Sequence, residues 1–550
     1  MHRFAVMADP HHHALFPGYA VDGVTFQGRS GACLRPRQDS AESTRIFNES
    51  ALVLPAVLDH CAAQGIRTVI IPGDLTDDGQ APSMQAALAL LAGYSARHGM
   101  RFFLTPGNHD AYGMSGRHHA KDFLTAQGGC VTVSSQPDAQ HSGDPAIVYD
   151  PRMACQGYGG LIEQWRSHGL MRDPRDLHWE SPFGPDDAAA ARVFDMTSPD
   201  GSTLHRQIDA SYLVEPEPGL WLLSIDANVF EPRNGRPDNT SEDAFEDSTN
   251  AGWNALIRLK PFLLDWMADV ARRAAAGNKT LICFSHYPVV DVLRGTLDGE
   301  RALFGATSYA KRNPAPATSA RIAATGIGTH FSGHLHFSGT SHATAEGAAL
   351  TNIAVPSPVA FPPAFLLVSA TQNSVNATTR MIDCAGFDAF FPWYGAKAGP
   401  SDWLSATSYP EFLYLHIREL VLHRFLPRDW PEDLRSFLQG RSSGDLLALA
   451  QQARPAFATD PDLPTGTPGV PVLDLLTDWY AARSAGPLAK DFVSADRLAA
   501  YAALTAGFDA KRWPDPTCLQ ARLAILMDMF AKMRADPAPV PPQPPEPHEY

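Results

Sequence analysis

Eight side chains able to bind a divalent cation or move a proton stand in five short clusters: Asp9 with His11, Asp74, Asn108 with His109, His286, and His334 with His336. Setting His109 aside, they supply two carboxylates, one amide oxygen and four imidazoles. A single zinc is satisfied by about four such donors. The collection is therefore too rich for one ion and suits two divalent metals of the manganese, iron or zinc kind. Rival hydrolytic chemistries lack their signatures. Ser285 lies in no G-x-S-x-G elbow and the chain holds no H-E-x-x-H.

Each cluster follows a short apolar run that reads as a strand. Residues 68–72 are rich in β-branched side chains before they meet Gly73 and Asp74, the pattern of a buried strand that stops abruptly. Residues 4–8, 100–104, 280–285 and 329–332 end in the same way at Asp9, at Thr105-Pro106-Gly107-Asn108-His109-Asp110, at His286 and at Gly333-His334-Leu335-His336. Helical spacing fills the gaps between the first three strands. One helix is expected from near Ser43 to Gly65, with Pro55 as its candidate kink, and another from Pro82 to Gly99. Strand, helix, strand, helix, strand implies right-handed crossovers and a parallel sheet, with polar side chains gathered past the carboxyl ends of its strands.

Residues 111–204 lose this pattern and are rich in Gly, Pro and polar side chains. A stretch of that length inside a compact domain is expected to be a lid or an inserted subdomain. Residues 210–214, 220–225, 280–285 and 329–332 read as strands, and 350–355 and 364–370 are expected to complete a second sheet. From 384 to 536, Leu413, Ile417, Leu420 and Val421, and later Leu519, Leu523, Leu526 and Phe530, fall at helical spacing. This stretch reads as a separate all-α module whose apolar stripes form its core. The last residues, 537–550, are proline-rich and read as extended or disordered.

The series Asp9-Pro10-His11, Gly73-Asp74, Gly107-Asn108-His109-Asp110, His286 and Gly333-His334-Leu335-His336 resembles the calcineurin-like metallophosphoesterase superfamily over about residues 1–383. The resemblance implies an α/β fold, a two-sheet metallophosphoesterase sandwich flanked by helices, to which the C-terminal all-α module is added. It implies Asp9, His11 and His336 on one metal, Asn108, His286 and His334 on the other, and Asp74 between them. It further implies a metal-bridging hydroxide as nucleophile on a small phosphate-ester substrate. His109 then stabilises the developing charge or protonates the leaving oxygen. A partner must fix its tautomer, and Asp77 is the first candidate, with Asp110 second.

Position 77 lacks the tyrosine of purple acid phosphatases, and GDLTDDG lacks the arginine of the protein Ser/Thr phosphatases. The motifs are more similar to the bacterial phosphodiesterase branch related to class III cyclic-nucleotide phosphodiesterases. Phosphodiester hydrolysis is the first expectation, with phosphomonoester hydrolysis or an inactive scaffold as alternatives. His12 and His13 are expected to be loop residues, His118 and His119 either phosphate contacts or exposed loop, and Asp226 structural.

Composition narrows the class further. Of 550 residues, 44% are hydrophobic and 19% charged, and the formal charge of -15 opposes binding to nucleic acid or an anionic membrane. No run is apolar enough to span a bilayer. Seven scattered cysteines without a CxxC pair, and a first strand in place of an apolar leader, point to a cytoplasmic protein with reduced thiols. The helical module is a candidate homo-oligomer contact.

Overall fold

The computed structural model describes residues 1–141, 144–345, 347–398, 402–453, 469–508, 513, 515 and 518–535. The expected tail, 537–550, lies outside the described residues. Its first sheet has the order Ser374–Met381, Ala364–Thr371, His2–Val6, Thr68–Ile71, Arg101–Leu104. His2–Val6 and Arg101–Leu104 run parallel to Thr68–Ile71 on either side. The helices Ser50–Ala63 and Ala81–His98 make the two crossovers. Gly99 closes the second of these helices in the left-handed conformation (φ 66°), as its sequence predicts.

The second sheet has the order Gly339–Ala345, Ala348–Ala354, Thr329–Ser332, Thr280–Ser285, Leu220–Ile225, Tyr212–Glu217, His178–Glu180. Its four central strands, from Ala348–Ala354 to Leu220–Ile225, are parallel. The sheets pack face to face through Phe4 and Phe331, whose ring centroids are 6.3 Å apart. The Tyr212 hydroxyl donates to Leu104 O (2.9 Å) and Thr105 Oγ1 to Ile225 O (3.1 Å), which ties the ends of the two sheets together. Parallel strands from both sheets thus end on one side of the molecule.

Three expectations change. Ala364–Thr371 joins the first sheet, antiparallel to His2–Val6, and Ser374–Met381 pairs outside it. His2–Val6 would otherwise be an open edge, and a hydrogen-bonded neighbour satisfies its backbone. The first helix begins at Ser50, not near Ser43, because the polar residues ahead of it are taken by tertiary bonds. Asn48 Oδ1 accepts from Arg35 N (2.8 Å), and Asn48 Nδ2 donates to the Tyr394 hydroxyl (2.8 Å). Residues 111–204 contain a three-stranded sheet of Ala120–Leu124, Cys130–Ser134 and Ile147–Tyr149, and they also lend His178–Glu180 to the edge of the second main sheet. The insertion is built into the sandwich.

The C-terminal region is helical as expected, with main helices Tyr409–Leu420, Val472–Ala485, Ala495–Gly507 and Leu519–Arg534. Its apolar stripes merge with the core of the sandwich in one cluster. Phe390 stacks on Phe26 (4.6 Å), and the Tyr409 hydroxyl donates to Pro358 O (2.7 Å). Arg483 makes a bidentate pair with Glu300 (2.8 and 2.6 Å), both side chains being buried. Breaking a buried pair from one side leaves an uncompensated charge, at about 3–5 kcal/mol. Glu300→Ala is therefore expected to lower the urea midpoint for release of the helical region, and an unchanged midpoint would show that the pair contributes nothing to this interface. Among the described residues no helix is long and apolar enough to cross a membrane.

Candidate metal centre

The strand ends bring the eight residues together, and all but His109 are buried. Two groups form, Asp9 with His11 and His336, and Asp74 with His286 and His334; within each group the donor atoms lie within 4.8 Å of one another. Asp74 Oδ2 faces both, 3.2 Å from His286 Nε2 and 3.7 Å from His11 Nε2. Asn108 donates through Nδ2 to Thr249 Oγ1 (3.3 Å), which turns its Oδ1 inward to 3.0 Å from His286 Nε2.

The outer nitrogens of the histidines decide what the inner ones can do. His286 Nδ1 faces Pro72 O (2.9 Å), His334 Nε2 faces Thr249 O (3.1 Å) and His336 Nδ1 faces Thr44 O (3.3 Å). A carbonyl oxygen only accepts, so each outer nitrogen carries a hydrogen, and the neutral rings of His334 and His336 turn a bare lone pair inward. His334 Nδ1 lies 3.1 Å from His286 Nε2, and His336 Nε2 lies 3.1 Å from His11 Nε2. These nitrogens converge with the carboxylates of Asp9 and Asp74 in two groups, each with ligand atoms close enough together for one cation. The donor set fits a dinuclear metal centre on this ground.

Burial holds His11, His334 and His336 in the neutral, ligating form, with His336 pulled down to about 3. For His286 burial pulls down, but Asp74 and Asp9 outweigh it and hold the imidazolium up at about 9. Burial raises Asp9 well above the usual carboxylate range. It opposes ionisation of Asp74 as well, but His286 and His109 outweigh it and keep that carboxylate ionised. Without metal the cluster is a set of charges in a dry interior, which cations would compensate.

Five of the seven donors have left-handed backbone: Asp9 (φ 53°), His11 (42°), Asp74 (52°), His334 (70°) and His336 (58°). Non-glycine residues in this region carry strain of order 1–3 kcal/mol each, and such residues cluster at functional sites. Two motif glycines make room for the carboxylates. A Cβ on Gly107 would sit 2.1 Å from Asp74 Oδ1, and one on Gly333 would sit 2.3 Å from Asp9 Oδ2. In exchange for that room, His109 N donates to Asp74 Oδ1 (2.8 Å) and His334 N to Asp9 Oδ1 (3.0 Å).

The partner of His109 is Asp78, which accepts from its Nδ1, and not Asp77. Asp77 faces the other way and is held by Arg45 Nη2 (2.7 Å), Lys121 Nζ (2.8 Å) and Arg35 Nη1 (3.4 Å). Asp78 has left-handed backbone (φ 68°), and its carboxylate shares Lys121 and Arg45 with that of Asp77. Asp110 serves the loop, accepting from Gly107 N (3.0 Å) and Thr76 N (3.2 Å). Burial, with Asp74 nearby, pushes its carboxyl up to about 7. His119 Nε2 lies 3.0 Å from Asp78 Oδ2 and Lys121 Nζ 2.9 Å, so the insertion reaches the site with two side chains.

His12 and His13 lie in the loop after the first strand and are buried there, and His13 Nε2 meets Cys33 O (2.9 Å). His118 Nδ1 meets Ser135 Oγ (3.2 Å), away from the donors. Asp226 is structural as expected, accepting from the Tyr158 hydroxyl (2.8 Å) beside Lys260 (3.5 Å). Sequence reasoning missed Arg45 and Lys121. Their only sequence signal is a cation in otherwise unpatterned loop or insertion, which many surface residues share.

Residues 2–184 match the family model described as calcineurin-like phosphoesterase. The matched stretch is about a third of the chain and includes Asp9, His11, Asp74, Asn108 and His109. A dimetal phosphatase from Danio rerio is 12% identical, with 69% of this chain and 96% of that one covered and a TM-score of 0.33. A 5'-nucleotidase precursor from Thermus thermophilus is 9% identical, with 71% and 58% covered and a TM-score of 0.26. The chain thus spans little more than half the length of the second protein. No curated protein matches the sequence.

Proposed function

We propose that this chain is a dinuclear metal-dependent phosphodiesterase, in which Asp9, His11 and His336 hold one cation, Asn108, His286 and His334 the other, and Asp74 both. The observation that carries this reading is the placement of Asp74 Oδ2 between two buried donor groups, 3.7 Å from His11 Nε2 and 3.2 Å from His286 Nε2. When bound, two dications supply Lewis acidity, lowering the pKa of water and neutralising phosphoryl charge. The protein's own side chains orient and protonate. His109, fixed by Asp78, stands over the centre with its ring centroid 5.1 Å from that of His11, and its Nε2 is the proton carrier for the leaving oxygen.

The diester preference rests on charge. Arg45 is the cation nearest His109 (3.4 Å to Nδ1), and its guanidinium is already paired with Asp77 and reaches Asp78 (3.5 Å). A compensated arginine offers little to the second negative charge of a monoester, whereas a diester carries one. The GDLTDDG and GNHD motifs support the same branch.

Metal content by elemental analysis, with hydrolysis of bis(p-nitrophenyl) phosphate and p-nitrophenyl phosphate with manganese or with chelator, tests this. About two metals per chain and chelator-sensitive cleavage favouring the diester are expected. Faster monoester cleavage would make the protein a phosphatase, and no metal uptake would sink the hydrolytic reading altogether.

A further inference from the structure

Two arginines beside the centre, Arg312 and Arg424, form no ion pair among the described residues. The helix Ser308–Arg312 ends in Arg312, whose Nε donates to Asn250 Oδ1 (3.2 Å), one residue from the Thr249 carbonyl that holds His334. Arg424 comes from the helical region. Its Nη1 donates to Glu42 O (2.8 Å), two residues from the Thr44 carbonyl that faces His336. The elements carrying them meet where Tyr309 packs edge-on against Phe425 (6.5 Å). The Arg312 charge is felt at His334, and the Arg424 charge at Arg312.

Neither guanidinium forms an ion pair among the described residues, although most other arginines near the sandwich do. Asp247, the carboxylate within electrostatic reach of Arg312, is paired with Arg117 (2.7 Å). Asp429 is shared among Arg483, Arg424, Arg428 and Arg312. Two half-buried guanidinium groups that share one carboxylate, itself drawn on by two further arginines, leave net positive charge at this rim for a second anion. The backbone beneath Arg424 is itself unusual. Val421–Phe425 is a π-helical turn between Tyr409–Leu420 and Leu426–Arg428, and such turns re-aim side chains at functional sites.

We propose that Arg312 and Arg424 form a subsite for a second phosphate group of the substrate, set apart from the phosphodiester that is cleaved. The substrate is then a diester bearing a further phosphoryl group, and the helical region supplies a specificity-determining residue. Planar guanidinium groups suit this task because each can offer two parallel N–H donors to phosphate oxygens. The inference rests on the phosphodiesterase reading above, which supplies the position of the first phosphate.

The probe is a pair of esters with the same scissile bond: thymidine 5'-(p-nitrophenyl phosphate), and the same compound carrying a 3'-phosphate. The metal-loaded full chain is expected to cleave the second with kcat/KM higher by about tenfold or more, chiefly through KM. In R312Q/R424Q the ratio between the two esters is expected to collapse toward one, and in R312K/R424K to be partly kept. Equal cleavage by the unmodified protein, or a preference that survives in the double glutamine variant, overturns the proposal. If neither ester turns over, the phosphodiesterase reading has failed separately. Equilibrium binding of thymidine 3',5'-bisphosphate against thymidine 5'-monophosphate then decides the subsite: tighter binding of the bisphosphate, lost in R312Q/R424Q, supports it, and equal binding ends it.

Discussion

Asp74→Ala is expected to lower diester hydrolysis by at least about a thousand-fold, since one carboxylate serves both donor groups and removing it disables the site as a unit. Each remaining group keeps three donors, so metal content is expected to fall without vanishing. Stability should change little, for two opposing reasons. The substitution removes a buried carboxylate held in left-handed backbone (φ 52°). It also removes the acceptor of His109 N (2.8 Å), an unsatisfied donor being worth about 1–3 kcal/mol. Asp74→Asn separates the two effects, because an amide oxygen keeps that hydrogen bond while the negative charge is lost. Equal inactivation of both variants, with a thermal midpoint nearer to normal for Asn, is the expected pattern. Near-normal turnover in either variant, with metal supplied, would falsify the placement of Asp74 at the centre.

The donors of this centre were readable because each stands at the end of an apolar strand, where period and composition speak plainly. Asp74 after residues 68–72 and His286 after 280–285 are examples, and the sandwich brings both to one side. What could not be read depends on contacts across the fold. Residues 364–370 look like any half-buried strand, and only the open edge of His2–Val6 draws that strand into the first sheet. The helical stripes were legible as helices, but the mates they pack against, such as Phe26 for Phe390, belong to the sandwich, so the boundary near 384 is not a boundary in the core. Arg424 had no signal, since a lone arginine on a helix reads as a solvated residue. The choice between Asp77 and Asp78 turned on cations from elsewhere in the chain, Arg35, Arg45 and Lys121, that hold Asp77.

That choice leads to the second large effect. His109→Ala is expected to slow the reaction by about 10²–10⁴-fold with bound metal unchanged, because the ring donates a proton and holds no cation. The loss should be larger for an alkyl leaving group than for p-nitrophenolate, which departs readily without protonation. Asp78→Asn is expected to cost about 10–100-fold with the same leaving-group trend, since it releases the His109 ring without removing it. Asp77 acts on a different quantity. Its buried carboxylate pairs with Lys121 and Arg45, and Asp77→Ala leaves both cations to Asp78 alone, at up to about 3–5 kcal/mol of stability. Rate and urea midpoint measured on both variants therefore pull the neighbours apart. Asp78→Asn should lose turnover at nearly constant midpoint, while Asp77→Ala should lose midpoint first and turnover only as the site comes apart. If Asp77→Ala instead showed the leaving-group trend at unchanged stability, Asp77 would be the residue that orients His109, and the turn would have to rearrange when metal binds.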